Sequence, residues 1–389
     1  MSRKEPQTWP GISRRTFIQK SSLALTGLAV TGIPGVSWAV HGDTLHVRNY
    51  QDLTSLDSVS SLSAAEGIIS AAINQNLLRF KPDGTWGTQF DAAESFEQID
   101  STHYAFRLRK GQEFSNGYGE MTADDVKFSF ERMVDPAMNA LNRPDMGPLS
   151  HVDVHDRYSG TFVLDTPYAA FIPVAVAGPS GEILSRKAVT AVGGRFTTEP
   201  PCSSGPYLFK SWRAQRKTVL VRNPQWTGRK PDCEEIHVYA MPDPKTAEMA
   251  FEAGELDCAW ISVETVEPFK QDMPDNSSIL VLPSGRNYWL GMNQENPALS
   301  DIRVRRAIQY AVDVEAVVEA AWFGLAKVSN GPIPEGMVGH RDNTLIPPRG
   351  DPEKARQLLA EAGVKLPLRL RMDVNSDSLE LTAVQVMEW

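Results

Sequence analysis

The sequence has 389 residues, of which 41% are hydrophobic and 22% charged, a length that suits two or three domains with cores of their own. That apolar fraction excludes a disordered chain, and 28 glycines without a fixed period exclude a collagen-like one. The formal net charge is −9, and because residues 1–39 contribute +4, the remaining residues carry −13. Such an acidic body argues against nucleic acid or an anionic membrane surface as the main partner.

The first 39 residues have the pattern of an export signal. Arg14 and Arg15 stand before an apolar stretch, Leu23 to Val36, that is too short and too rich in glycine to span a membrane comfortably. Ser37-Trp38-Ala39 follows, with small residues at the positions that a signal peptidase reads. We interpret residues 1–39 as a twin-arginine signal cleaved after Ala39, the alternative being an N-terminal helix that happens to contain the arginine pair. Since no cysteine lies near the cleavage point, we expect release into the periplasm without a lipid anchor.

Alternating faces and helical periodicity predict the elements of the next two thirds of the chain. Strands are predicted at 44–50, 96–99, 102–109, 207–212, 218–222, 235–239 and 256–261. Helices are predicted at 64–78, from the capping box Thr122-Ala123-Asp124-Asp125 to Met133, and from Asp243-Pro244 to Gly254. This mixture of strands and helices predicts an α/β protein.

Helices dominate the C-terminal part of the chain. A predicted strand at 287–293 precedes helices at 302–312, 314–322 and 352–362, each opened by an aspartate N-cap. A further strand is predicted at 366–374. The last predicted helix, 379–389, has no terminating residue, so we expect the sequence to be truncated at its C-terminus.

The sequence contains no recognisable reaction centre: a Gly-x-Ser-x-Gly elbow, a Walker loop and a dinucleotide glycine pattern are all absent. His151, Asp153 and His155 share one face of a strand and could hold a metal, but an exposed edge strand produces the same pattern. Cys202 and Cys233 flank adjacent strands and could bridge in an oxidising compartment, or be small buried residues. We therefore predict a binding protein without enzyme activity or cofactor.

Five parts of the sequence match the motifs of one known protein family and follow one another in the same order as in that family. They are 102–117, 122–132, 204–212 with Arg222-Asn223-Pro224, 301–313 and 351–359. They resemble the extracytoplasmic solute-binding proteins of peptide- and nickel-type ABC importers, family 5. The resemblance implies a two-lobed α/β periplasmic binding protein fold with an extra subdomain. Lobe 1 would comprise 40–85 and 200–286, the subdomain 86–199, and an incomplete lobe 2 would comprise 287–389. It also implies a ligand trapped between the lobes and delivered to an inner-membrane permease and its ATPase, and we expect a monomer.

Aromatic residues near the ends of predicted strands are the candidate ligand contacts. The carboxyl ends of strands face the crevice in open α/β layers, and Trp260 lies at the end of the predicted strand 256–261. Tyr288, Trp289 and Asn293 lie on the strand that enters the second lobe, near the expected hinge. There they either line the mouth of the cleft or pack the junction of the lobes.

Three hypotheses for the function remain open at this point. Oligo- or dipeptides are the leading ligand class, because an extended backbone can pair along strand edges with little demand on side-chain identity. The same fold with another solute, a nickel chelate, opine, haem or oligosaccharide, is the second. An exported metal-dependent hydrolase using His151 and His155 is the third.

Overall fold

The computed structural model of the chain describes residues 43–60, 64–83, 85–282, 287–337, 339–374 and 378–387. The predicted export signal, with Arg14, Arg15 and Ala39, lies outside the described residues. Within the described ranges, no helix combines the length and the apolar character needed to cross a bilayer.

The described residues form strands and helices between Thr44 and Met387. The strands are β1 Thr44–Asn49, β2 Leu78–Phe80, β3 Thr88–Phe90, β4 Ala93–Gln98, β5 His103–Leu108, β6 Glu113–Phe114, β7 Gly119–Glu120, β8 Leu149–Asp156, β9 Ser159–Leu164, β10 Tyr207–Arg213, β11 Lys217–Arg222 and β12 Glu235–Ala240. The helices are α1 Ala64–Ile73, α2 Ala123–Val134, α3 Arg186–Ala191, α4 Pro244–Glu252, α5 Val266–Gln271, α6 Ile302–Ala311, α7 Val314–Trp322, α8 Pro352–Glu361 and α9 Ser378–Met387.

The first sheet has the strand order β1-β12-β11-β10, in which β1 and β12 are parallel and the other pairs antiparallel. Helix α1 covers one of its faces, and Ile69 and Ile73 of this helix share a buried cluster with Tyr207, Leu220 and Val238 of the strands. The predicted strands at 44–50, 207–212, 218–222 and 235–239 are confirmed within two residues at each end.

The second sheet, β4-β5-β9-β8, is entirely antiparallel and packs against α2 and the π-helical segment Phe171–Val176. Phe162 of β9 is completely buried at its centre. The ring centroid of Phe162 lies 5.2, 4.7 and 5.3 Å from those of Phe106, Phe130 and Phe171. Aromatic pairs at these distances add to the apolar burial that holds α2 on the sheet.

A buried ion pair joins the segment before α1 to α2. The Arg132 guanidinium donates from Nη1 to Asp57 Oδ1 at 2.7 Å and from Nη2 to Asp57 Oδ2 at 3.0 Å. Both side chains are almost completely buried, and Nη2 also donates to the carbonyl of Gly194. A bidentate pair of this kind fixes the relative position of the two segments, because both charges would be unpaired if either segment moved away.

The C-terminal helices form two packed pairs. Ala307 of α6 packs with Ala355 and Leu358 of α8, and Val317 of α7 packs in a second cluster that contains Ala383 of α9. The predicted aspartate caps of α6, α7 and α8 are confirmed, since each carboxylate accepts from a backbone amide in its first helical turn.

The structure contradicts three predicted strands, at 256–261, 287–293 and 366–374. In the first of these, a single parallel bridge joins Cys258 to Val47. A strand needs a neighbour that offers a full ladder of hydrogen bonds, and apolar alternation alone does not supply one. Cys202 and Cys233 are buried free thiols rather than a disulfide. The lobe and subdomain boundaries at 85, 199 and 286 stay a prediction.

Candidate ligand-binding site

A large cavity of 3980 Å³ lies between the segments that follow β12 and the C-terminal helices. Its lining comes from Thr85 and Trp86, from residues between 251 and 282 and between 287 and 293, and from residues of α6, α7, α9 and the segments that connect them. Typical small-molecule sites measure about 300–1,000 Å³, so this cavity has room for a peptide or a large cofactor.

The structure brings all four predicted contact residues to this cavity. Trp260 lies on one wall, and Tyr288, Trp289 and Asn293 lie along another segment of its lining. The side chains of Trp289, Trp260 and Tyr288 are 82%, 56% and 48% exposed, respectively. Large aromatic side chains left so exposed around one concavity are typical of a surface that covers a ligand.

Trp260 stands on the carboxyl-terminal side of the first sheet. Its ring centroid lies 6.2 Å from that of Tyr50, which directly follows β1. Tyr50 does not line the cavity, and its link to the site is this contact with Trp260. The position of Trp260 itself fits the rule that ligands meet the carboxyl ends of parallel strands.

The other predicted residues differ in how firmly the surrounding chain holds them. Tyr288 packs on Trp322 of α7, with 4.9 Å between the ring centroids. Asn293 is exposed, and its side-chain oxygen accepts from the Glu295 amide at 3.0 Å. The Asn293 side-chain nitrogen, with two donor hydrogens, and the second lone pair of its oxygen are the groups of this residue that can meet a ligand.

A further part of the lining was missed by sequence analysis. Leu280, Val281 and Leu282 are consecutive, each about half exposed, and all three line the cavity. Their apolar run is typical of a buried strand, so the sequence offered no signal that they would face open space.

The carboxylate of Asp257 at the cavity is held by a neighbouring residue. Asp257, which lines the cavity, accepts from the backbone amide of His46 at 2.8 Å and contacts His46 Nδ1 at 3.1 Å. Burial raises the pKa of the adjacent Cys258 thiol, and the Asp257 carboxylate raises it further. Cys258 is therefore protonated at neutral pH and is a poor nucleophile.

The predicted histidine motif on β8 lies outside this cavity. His151 Nε2 is 3.5 Å from Asp153 Oδ1, and both side chains are about half exposed. His155 Nε2 is instead within 2.8 Å of the Thr161 hydroxyl. In the part of the chain that the structure describes, no three His, Cys, Asp or Glu side chains are grouped to hold a metal ion. The interpretation of this motif as a metal centre is therefore wrong, and the motif is the polar face of an edge strand.

The profile of the bacterial extracellular solute-binding proteins, family 5, matches residues 88–387, which is most of the chain. The chain belongs to this family. The resemblance inferred from the motifs is therefore confirmed, and the structural relatives carry the two-lobed α/β fold of periplasmic binding proteins.

Three relatives illustrate what this family 5 chain is similar to. A protein named as a probable D,D-dipeptide-binding periplasmic protein of Escherichia coli is 27% identical over 362 residues, covering 89% of this chain and 67% of its own length. Heme-binding protein A of Haemophilus influenzae is 28% identical over 323 residues, covering 76% and 57%. A periplasmic binding protein of Helicobacter pylori, solved with the peptide STSA, is 26% identical with a TM-score of 0.69, covering 82% and 66%. The chain thus spans between about half and two thirds of the length of such relatives.

Proposed function

We propose that this family 5 chain is the periplasmic solute-binding component of an ABC importer. In this proposal it binds oligo- or dipeptides in the cavity and delivers them to an inner-membrane permease driven by an ATPase. The observation that carries the proposal is the placement of Trp260, Tyr288 and Trp289, from separate segments, around one large cavity. Two relatives, one named as a probable D,D-dipeptide-binding protein and one solved with a peptide, support the ligand class.

The proposed mechanism is closure around the ligand. A ligand that contacts Trp260 on one wall and Tyr288 or Trp289 on another gains both sets of contacts only when the walls approach each other. Binding therefore shifts the population toward the closed form in proportion to the ligand's preference for it. Aromatic faces suit peptides of varied sequence, because stacking and apolar burial depend little on side-chain identity.

The remaining assignments belong to the same proposal. The chain is exported through the twin-arginine pathway by the signal with Arg14 and Arg15, cleaved after Ala39, and acts as a monomer without enzyme activity. Lobe 1 is residues 40–85 and 200–286, its subdomain is 86–199, and lobe 2 begins at 287. The names of the relatives as periplasmic proteins support this location.

Calorimetric titration and thermal melting of the full-length protein with defined di- to pentapeptides test the proposal. We expect a stabilisation of about 2.7 kcal/mol, seen as a higher melting temperature, at a peptide concentration 100 times the dissociation constant. Trp260→Ala should weaken binding about tenfold or more, because it removes an aromatic contact. Trp226→Ala, a tryptophan outside the cavity lining, is the matched control and should change affinity less than twofold. Absence of binding by every peptide, or equal losses in both variants, would refute the peptide function.

Haem is a second candidate, favoured by the apolar walls of the cavity and by the 28% identical Heme-binding protein A. Mass spectrometry and visible absorption of the protein purified from haem-replete cells distinguish the two ligands. If the purified protein retains haem and does not bind peptides, haem is favoured over peptides as the ligand.

A further inference from the structure

Two buried charged side chains hold the backbone of the loop that carries Trp260. This loop, residues 258–262 and called the Trp260 loop below, is irregular and only partly buried. Arg48 of β1 and Glu248 of α4, by contrast, are 4% and 3% exposed. Neither residue was singled out by the sequence, and neither lines the cavity.

The Arg48 guanidinium, on β1, donates to three main-chain carbonyls in two other segments. Its Nε donates to the carbonyl of Met241 at 3.0 Å, its Nη2 to that of Pro242 at 3.1 Å, and its Nη1 to that of Trp260. Met241 and Pro242 directly follow β12. The guanidinium therefore ties the ends of the two parallel strands to the Trp260 loop.

Glu248 holds the other end of the same loop. Its Oε1 accepts from the Ser262 amide at 2.9 Å, and its Oε2 accepts from Lys245 Nζ at 2.9 Å. Burial by itself raises the pKa of Glu248, but the hydrogen bonds from Ser262 and Lys245 outweigh it and hold the pKa below its usual value. The carboxylate is therefore ionised at neutral pH, and its charge acts on Arg48 by raising the pKa that burial lowers.

The chemistry of these contacts indicates that they fix the conformation of the Trp260 loop and do not serve the stability of the fold alone. Burying a charge is costly, and well-packed apolar side chains usually stabilise a core as well or better. Here both charges are directed at main-chain atoms of one short loop, whose outward side chain is a tryptophan that is 56% exposed on the cavity wall. The planar fork of arginine reaches several carbonyls in fixed directions, which the single ammonium of lysine cannot reproduce.

We propose that Arg48 and Glu248 are positioning residues that clamp the Trp260 loop and so hold the Trp260 ring in place on the cavity wall. The inference rests on the proposed function for the role of Trp260 itself. The clamp, however, is a property of the unliganded chain and is measured without any ligand.

Hydrogen–deuterium exchange of the Trp260 loop tests the clamp directly. We expect Arg48→Lys and Glu248→Met to speed exchange of the Ser262 amide, which donates to Glu248, at least tenfold, and Glu248→Gln, which keeps an acceptor, to restore much of the protection. Arg222→Lys is the matched control, because Arg222 also donates to two main-chain carbonyls, those of Cys233 and Asp232, on the same sheet. Unchanged loop exchange in Arg48→Lys and Glu248→Met, or equal acceleration in the control, would overturn the clamp.

A double-mutant cycle on peptide affinity separates positioning from general structural damage. Arg48→Lys should weaken peptide binding about tenfold in the parent chain but less than twofold in a Trp260→Ala background, because the ring it positions is then absent. Equal weakening in both backgrounds would overturn the positioning role. If the parent chain binds no peptide, the peptide function fails, while the exchange experiment still decides whether the clamp exists.

Discussion

Glu182 makes the stability of this protein depend on pH in a direction unusual for a carboxylate. The side chain is buried beside α1, where Asn74 Nδ2 donates to its Oε2 at 2.9 Å and the Ser70 hydroxyl is a second partner. Burial raises the pKa of Glu182 to about 7; the hydrogen bonds from Ser70 and Asn74 oppose the rise, and the Asp57 carboxylate adds to it. The folded protein therefore holds this proton to a much higher pH than the unfolded chain does.

The sign and size of the effect follow from linkage. With a pKa of about 7 when folded and 4.5 when unfolded, the favourable contribution is complete below pH 4.5 and is lost as the pH rises to 7. The total loss is about 3 kcal/mol, at about 1.4 kcal/mol per pH unit. That is a large fraction of the roughly 5–15 kcal/mol by which folded domains are usually stable.

Urea denaturation of the parent chain and of Glu182→Gln between pH 5 and pH 8 measures this contribution. Glutamine keeps the shape but does not titrate, so the free energy of unfolding of the parent should fall relative to the variant by about 2–3 kcal/mol over this range. Glu235→Gln is the control, because the hydrogen bonds from Lys210 and His237 lower the pKa of Glu235 and its contribution changes only at more acidic pH. A parent-minus-variant difference that stays flat from pH 5 to pH 8 would refute the buried, protonated state of Glu182.

Three further outcomes are expected. Asp57→Asn should lower the free energy of unfolding by about 3–5 kcal/mol in urea titrations, because it leaves the buried Arg132 guanidinium without its counter-charge; a loss below about 1 kcal/mol would contradict the ion pair. Gly160→Ala should lower the melting temperature, since the added Cβ would lie 2.5 Å from the Asp153 carbonyl and 2.8 Å from the Phe106 ring, and an unchanged melting curve would argue against that packing. Replacing Arg14 and Arg15 together by lysine should leave the chain unprocessed in the cytoplasm of a cell fractionation experiment, whereas normal processing would exclude the twin-arginine route.

Local signals predicted helix ends well where a capping residue marks them. The predicted helix 64–78 is wrong at its end: α1 stops at Ile73, and Leu78 instead begins β2, where it pairs with Phe90 of β3. The Asp125 carboxylate accepts from the Thr122 amide at 2.9 Å, as the capping box at the start of α2 predicts. Asp243 caps α4 by accepting from the Thr246 amide, and Gly254, with a φ of +75°, stands just after its end. These features depend on residues within one helical turn of each other, so the sequence contains all the information they need.

Contacts between distant segments could not be predicted from local sequence patterns. The segments 287–293 and 366–374 have the composition of strands, but a strand also requires a neighbour with unpaired backbone groups, and no local pattern identifies that neighbour. For the same reason, the sequence predicted that Trp260 lies near the end of a strand-like segment. It did not predict the ring contact of Trp260 with Tyr50 or the hydrogen bond from Arg48 to the Trp260 carbonyl.

The amino-acid sequence by itself determined the α/β class, the capped helix ends, the family and the aromatic residues that the site proposal uses. The tertiary structure alone decided that Trp260, Tyr288, Trp289 and Asn293 share one cavity, and that the histidine motif of β8 is part of a polar strand face. The physical reason is range: caps, turns and periodicity act within a few residues, whereas cavities and buried charge contacts join groups as far apart in the chain as Arg48 and Trp260.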